Sequence, residues 1–350
     1  MPYEYRGNLH LHTVLSDGHA THAQIVQMAA AADLDFVMPT DHNVYVPGLD
    51  GWFGRTLLLV GEEVHDVHRR PEVNHLLVYG VGESMAAQAG APQALIDAVR
   101  ERGGLSFIAH PFERSSAFAR EPDINWVDWQ VAGFTGISLW NYMSEFKSHV
   151  HSASSGLWAA YFPRTVIRGP FEETLQKWDE LLLRHKTPAI CASDAHGTTY
   201  HLGPLRRVVL PYDHLFRALN MHILTHEPFG GSVERDSSLV YTALREGHGW
   251  VGYDGIGDTR GFRFTAESGG CLVHSGQELQ VQSRAALSVA TPQPARIRLL
   301  CNGRAVAEAY GRELGQVVSQ AGVYRAEAYR RVWGQWRGWI FANPVYLTGK

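Results

Sequence analysis

The residues of this chain best suited to chemistry begin at its eighth position, in Asn8-Leu-His10-Leu-His12-Thr-Val-Leu-Ser16-Asp17-Gly18. Two imidazoles spaced two apart on an extended strand point to the same side, so His10 and His12 can grip one ion together. Asp17 follows in a Ser-Asp-Gly turn. The pair alone carries little, because the chain holds 19 histidines and His149-Val-His151 repeats the pattern. What separates the two copies is the company each keeps. Further along come Asp41-His42, Glu62-Glu63, His75, His110-Pro111 and Ser193-Asp194-Ala195-His196. The collected set is His10, His12, Asp17, His42, Glu63, His75, His110, Asp194 and His196. Nine nitrogen and oxygen ligands exceed one tetrahedral ion and suit two or three divalent ions, with a carboxylate shared between neighbours. Imidazole and carboxylate donors without thiolate suit zinc, manganese or iron.

Most of these residues flank an apolar run. Phe36-Val-Met-Pro-Thr40 delivers Asp41-His42; Leu57-Leu-Leu-Val60 precedes Gly61-Glu62-Glu63; His75 heads Leu76-Leu-Val-Tyr79; Leu105-Ser-Phe-Ile-Ala109 runs into His110; Gly136-Ile-Ser-Leu-Trp140 ends in Asn141; and Pro188-Ala-Ile-Cys-Ala192 hands over to Ser193-Asp194. Helical periodicity occupies Thr21–Ala32, Pro92–Arg102 and Phe171–His185, and the stretch Leu215–Glu246 reads as helix with loops. Strand, ligand at its C-terminal end, helix, next strand is the repeat of an α/β barrel, whose strand ends converge on one face. Beyond Gly255 the texture becomes short alternating runs separated by Ser268-Gly-Gly, Asn302-Gly303 and Ala321-Gly322, the pattern of a small β-sandwich. The expected division is a barrel over 1–255 and an Ig-like accessory sandwich over 256–350.

The bulk properties agree. A chain of 350 residues exceeds one ordinary core and suits a domain of roughly 250 residues plus one of roughly 100. A net charge of -4 gives no electrostatic case for wholesale nucleic-acid or anionic-membrane binding. A small anionic or ester substrate, a nucleotide or oligonucleotide included, would be held locally. Three scattered cysteines indicate no disulfide framework, and neither an export signal nor an apolar run long enough to span a membrane is legible. The expected compartment is the cytoplasm; the oligomeric state is not legible.

The ordered set His10-x-His12, Ser16-Asp17-Gly18, Thr40-Asp41-His42, Gly61-x-Glu63, His75, His110-Pro111 and Ser193-Asp194-x-His196 resembles the polymerase and histidinol phosphatase (PHP) superfamily over roughly the first 200 residues. Tyr5-Arg-Gly-Asn-Leu-His, Gly61-Glu-Glu-Val, Leu139-Trp-Asn141 and the tail from Trp339 are similar to its CehA/McbA-like branch, which includes carbaryl hydrolase. The resemblance implies a distorted (β/α)7 barrel with a trinuclear site: His10, His12, Glu63 and Asp194 on one metal, Glu63 as bridge with His75 and His110 on a second, and Asp17, His42 and His196 on a third. Such ligands imply a metal-bridging hydroxide as nucleophile and a hydrolase, most simply a phosphoesterase, with a carboxyl- or carbamate-ester hydrolase as rival and a non-catalytic carbohydrate or ligand binder as the reading from another class. Asp41 is expected to orient His42 or accept a proton, and His196 is a candidate proton donor to the leaving group. Arg114 and Arg206-Arg207 are candidate anion binders, and Asn141 a candidate substrate contact. His65 and His68 are read as a solvated loop, and Glu62 competes with Glu63 for the bridge.

Overall fold

A computed structural model describes residues 2–202 and 205–349 as a mixed α/β fold built on two large sheets and a small hairpin. The opening strand Tyr3–Leu9 lies inside the larger sheet, parallel to Phe36–Met38 (Asn8 opposite Val37) and antiparallel to Leu219–Thr225 (Tyr5 opposite Ile223). The connection to Phe36–Met38 is the helix His22–Ala31. Its first turn is closed by Thr21 and Gln24, each capping the other's backbone amide, and Ile25, Val26 and Ala29 form its buried stripe. Phe36–Met38 pairs in turn with Thr56–Leu58.

The chain then bends into Gly61–Val64, the edge of the second sheet, which continues through Leu76–Tyr79, Leu105–Ile108, Gly136–Asn141 and Ala189–Ala192. Two seams join the sheets. At one, Gly61 and Glu63 donate backbone N–H to Pro39 and Asp41 (2.8 and 3.2 Å); at the other, Asp194 donates to His10 (2.8 Å) and His12 to Ala195 (2.9 Å). The strands do not merge into one closed barrel sheet. Leu76–Tyr79 runs antiparallel to both neighbours; no helix lies between it and Gly61–Val64 to return the chain for a parallel pairing there. Both seams and the strand ends between them carry the histidines and carboxylates of the sequence motifs.

The strands after Gly255 extend the same large sheet: Gln335–Ala342 pairs with Gly249–Tyr253, Val251 opposite Phe341. Asn302 and Gly303, both at positive φ, form the tight turn between Ala285–Cys301 and Arg304–Val318. Leu219–Thr225 departs from the helical reading of its region. All seven of its residues are buried, and a strand covered on both faces shows no alternation to distinguish it from a helix. Cys191 and Cys301 are buried and Cys271 is exposed, all three free. No helix among the described residues is long and apolar enough to cross a membrane.

His222 on that strand is enclosed, with Nδ1 3.3 Å from Glu4 and Nε2 3.2 Å from Asp254 and 2.9 Å from the Thr259 hydroxyl. Burial alone would lower its pKa, yet Asp254 and Glu4 hold it above the usual value. Burial would raise both carboxyls, and His222 holds each below its ordinary range. The signs then fix a window. The raised imidazole contributes fully below its unfolded pKa of about 6.5 and loses its contribution as pH climbs through the folded value; the carboxylates contribute above about 4 and lose theirs as pH falls. His222→Gln should therefore cost roughly 3 kcal/mol at pH 5.5, with a smaller deficit in denaturant titrations at pH 9; a deficit that grows with pH would contradict the pairing.

Candidate metal centre

The first histidine pair converges by a different route from strand alternation. The strand ends at Leu9, and His10 lies beyond it in left-handed backbone, φ 60°. Asp194 (φ 54°) and His110 (φ 26°) share that unusual conformation, which in non-glycine residues persists only where the surroundings over-determine it. Here the inter-sheet bonds at His10 and Asp194 do so. Gly18 completes the turn for a steric reason: a Cβ there would lie 2.2 Å from the carbonyl oxygen of His12.

Glu63 is the hub. Its Oε2 lies 3.0 Å from His10 Nε2, 3.3 Å from His12 Nε2 and 3.2 Å from His42 Nδ1, while Oε1 lies 3.0 Å from His75 Nδ1 and 3.1 Å from His110 Nε2. Glu62, its neighbour, faces the other way and accepts bonds from Ser84 and the Met85 amide. Asp194 Oδ1 adds contacts of 3.4 Å to His10 and 3.2 Å to His12. Asp17 Oδ2 lies 3.3 Å from His196 Nε2 and 3.7 Å from His42 Nε2, and Asp17 Oδ1 3.5 Å from His12 Nδ1. All nine residues collected from the sequence thus meet at one place.

The donors fit divalent ions. Their atoms fall into groups lying within 4.8 Å of one another: His10, His12 and Glu63; Glu63, His75 and His110; His10, His110 and Asp194; and His12, Asp17, His42 and His196. His12 Nε2 and His42 Nδ1 sit 3.2 Å from carboxylate oxygens yet make no aligned hydrogen bond, and His10 Nδ1 also lacks a partner among the described residues. Lone pairs aimed between oxygens rather than along an N–H line are what a shared cation requires. Burial drives His42 down to about 3 despite Glu63, so its ring is neutral and free to ligate. Burial would raise Glu63, but the imidazoles of His10, His42 and His75 hold its carboxyl well below the usual range. Asp194, equally buried, is held low by His10 and His12.

Supporting contacts set the tautomers. His110 donates Nδ1–H to the Ile124 carbonyl (2.8 Å) and His196 donates Nδ1–H to the Asp194 carbonyl (2.8 Å), leaving each Nε2 turned to the cluster. Asp41 turns away from His42. Its carboxylate accepts from the Thr13 amide, the Thr13 hydroxyl and the Ser16 hydroxyl, each at 2.7 Å, and so shapes the loop that carries Asp17. Arg114 pairs with Glu173 on the exposed surface (2.9 Å) and lies outside the cavity over the cluster. The His149 imidazole lies 3.9 Å from Glu145, away from the ligand groups found among the described residues.

Asn141 has two tasks. Its Oδ1 accepts the Ser144 amide (2.9 Å), capping the helix Tyr142–Lys147, and its Nδ2 donates to Asp194 Oδ2 (3.0 Å). Asn141→Asp keeps the cap but sets a second negative charge against Asp194. We expect folding within about 1 kcal/mol of the parent, with metal affinity reduced roughly 10- to 100-fold in competition with a chelating dye. Unchanged affinity would mean that the amide does not steady Asp194.

His65 and Glu72 belong beside the centre, contrary to the solvated-loop reading of His65. The His65 ring is buried, stacks on His75 at 4.1 Å and lies edge-on to His42 at 4.9 Å; with those two it forms a fifth possible ligand group. Glu72 Oε1 bridges His65 Nε2 (3.3 Å) and His75 Nε2 (3.2 Å). The available signal was the two-residue step Glu63-x-His65, although the strand itself ends at Val64 and His65 lies just beyond it.

No family model matches the chain, and no curated protein does. Among solved structures, the chain is similar to a two-domain protein from Bacteroides vulgatus containing a predicted PHP-like metal-dependent phosphoesterase (13% identity, 98% of this chain and 95% of that one, TM-score 0.44). It is also similar to a protein from Bifidobacterium adolescentis assigned by inference as a metal-dependent phosphoesterase (16%, 58% and 93%, TM-score 0.37) and to an amidohydrolase from Chromobacterium violaceum with bound sulfate and no metal (16%, 57% and 92%, TM-score 0.28). With identities this low and superpositions this loose, the chemistry is read from the site's own residues and distances.

Proposed function

We propose that the chain is a metal-dependent hydrolase, with two to three divalent ions held by the nine-residue cluster and a phosphoester as substrate. The observation that carries this is the Glu63 carboxylate, buried with five imidazoles around its two oxygens. When bound, such ions supply Lewis acidity, lowering the pKa of water and neutralising charge that builds on substrate oxygens. Adjacent cation positions suit a group with several anionic oxygens. The chain's own part is placement: Glu63 ties the His10–His12 pair to His75 and His110, Asp194 is steadied by Asn141, and Asp17 is carried on a loop fixed by Asp41. Hydrolysis forms a P–O bond from water and breaks the ester P–O bond; the attacking water releases one proton and the leaving oxygen takes one up, so the net step is addition of water across the ester. The division into a site-bearing part, 1–255, and an accessory part, 256–350, is retained in this reading, as is a cytoplasmic setting.

Protein loaded with manganese or zinc, offered 4-nitrophenyl phosphate, bis(4-nitrophenyl) phosphate and a naphthyl carbamate, should cleave at least one phosphate. Carbamate cleavage with both phosphates untouched would overturn the phosphoester reading in favour of the ester rival, and metal binding without any turnover would favour a binding protein.

A further inference from the structure

The cluster forms the floor of a cavity of about 1050 Å³, at the upper end of the range for ligand sites. Its floor is polar and its side wall is not. Phe118, Met143, Phe146, Val150, Leu157 and Tyr161 line that wall, supplied largely by the helices Tyr142–Lys147 and Ala153–Tyr161. The second helix reads Ala-Ser-Ser-Gly-Leu-Trp-Ala-Ala-Tyr, without a charge, yet buries only Ala159. A helix so apolar normally hides a stripe against a core; here Leu157 is 36%, Tyr161 50% and the neighbouring Phe118 46% exposed. Apolar surface left open beside a polar centre marks a ligand site rather than a solvated face. Opposite, the hairpin Thr199–Leu202 and Leu205–Val208 brings Tyr200 and Arg207 to the cavity, the Arg207 guanidinium lying 4.1 Å over the Tyr161 ring. Lys147, also in the wall, is already matched by Glu113 at 2.7 Å, so the six side chains from Phe118 to Tyr161 offer apolar contact, with the Arg207 guanidinium at the Tyr161 end.

We infer that the cavity takes an amphiphilic anion, a phosphoester whose phosphate sits on the histidine–carboxylate cluster and whose alkyl or aryl group lies along the Phe118–Tyr161 wall. This rests on the hydrolase reading for the head group; the wall itself is an independent feature.

Calorimetric titration of the manganese-loaded protein with ethyl-, butyl- and octylphosphonate, which carry no ester bond to cleave, tests it. Affinity should rise about threefold per methylene, on the order of 80-fold from butyl to octyl. The double variant Phe118→Ser/Leu157→Ser, altered only at exposed side chains, should flatten that rise while leaving ethylphosphonate binding unchanged. Equal affinity across the series, or co-sedimentation with phosphatidylcholine vesicles without chain-length dependence, overturns the inference. Ethyl and octyl phosphate offered to the same protein separate the two readings: no turnover of either with a graded phosphonate series removes the hydrolase and leaves the wall assignment standing, whereas turnover with a flat series does the reverse.

Discussion

Glu63→Gln should abolish hydrolysis and strip the centre of most of its metal. Both oxygens of this carboxylate are in use, one near His10, His12 and His42 and the other near His75 and His110. The amide keeps the shape but is neutral, offers one acceptor in place of two, and turns an N–H toward imidazole nitrogens that should be presenting lone pairs. Two ligand groups then lose their shared member. Turnover should fall roughly 1000-fold or more, and elemental analysis should find fewer ions per chain. Because Glu63 also pairs with buried imidazoles in the metal-free chain, the chelated variant should melt below the chelated parent, and the ion count per chain carries the test. Full metal content with intact turnover would remove Glu63 from the hub and dismantle the proposed centre.

The second large effect is on stability. Ions that bind only the folded chain, at free concentrations near a thousand times their dissociation constant, stabilise it by about 4 kcal/mol, so chelation should lower Tm by roughly 8 °C. The gap should widen with pH. In the metal-free chain burial would lower His12 and His110, but Asp194 and Glu63 around the first and Glu63 beside the second hold them up to about 10 and about 9. A raised pKa contributes fully below the unfolded value near 6.5 and loses its contribution as pH rises through 9 to 10. The metal-free protein thus weakens above neutrality, while ligands that must be deprotonated bind ions more tightly there. Thermal melts with and without chelator at pH 7 and pH 9 give the comparison. Identical Tm values with and without chelator at pH 9 would mean that the cluster is a satisfied polar core and no metal centre.

The ligand residues were legible because most of them flank an apolar run, and a run of that kind constrains where the residue at its end points. The expectation weakened wherever backbone torsion or distant contacts take over. His10 and His12 meet through a left-handed turn beyond the strand, which alternation does not foresee. Asp41 sits next to a ligand in sequence, but its oxygens are claimed by Thr13 and Ser16 across the seam. His65 lies beside the centre although its strand ends at Val64, because Asn43 pairs with its backbone and Glu72 with its ring, contacts from distant residues that the sequence does not show. Leu219–Thr225 is buried on both faces and so carries no period, and the arrangement of two sheets joined at seams, in place of one closed barrel, depends on a strand reversal without a helix. The apolar wall of the cavity was present in Leu157 and Tyr161, but composition alone does not tell an unburied helix from a buried one.

The torsions at His10 and Asp194 carry an evolutionary signature. An L-residue held in left-handed backbone costs roughly 1–2 kcal/mol that glycine does not. At these two positions glycine should therefore be a better truncation than alanine for folding, although both discard the ligand. A lineage released from the need to hold ions would drift toward glycine there, so glycine at position 10 or 194 of a relative would record lost chemistry rather than a flexible loop.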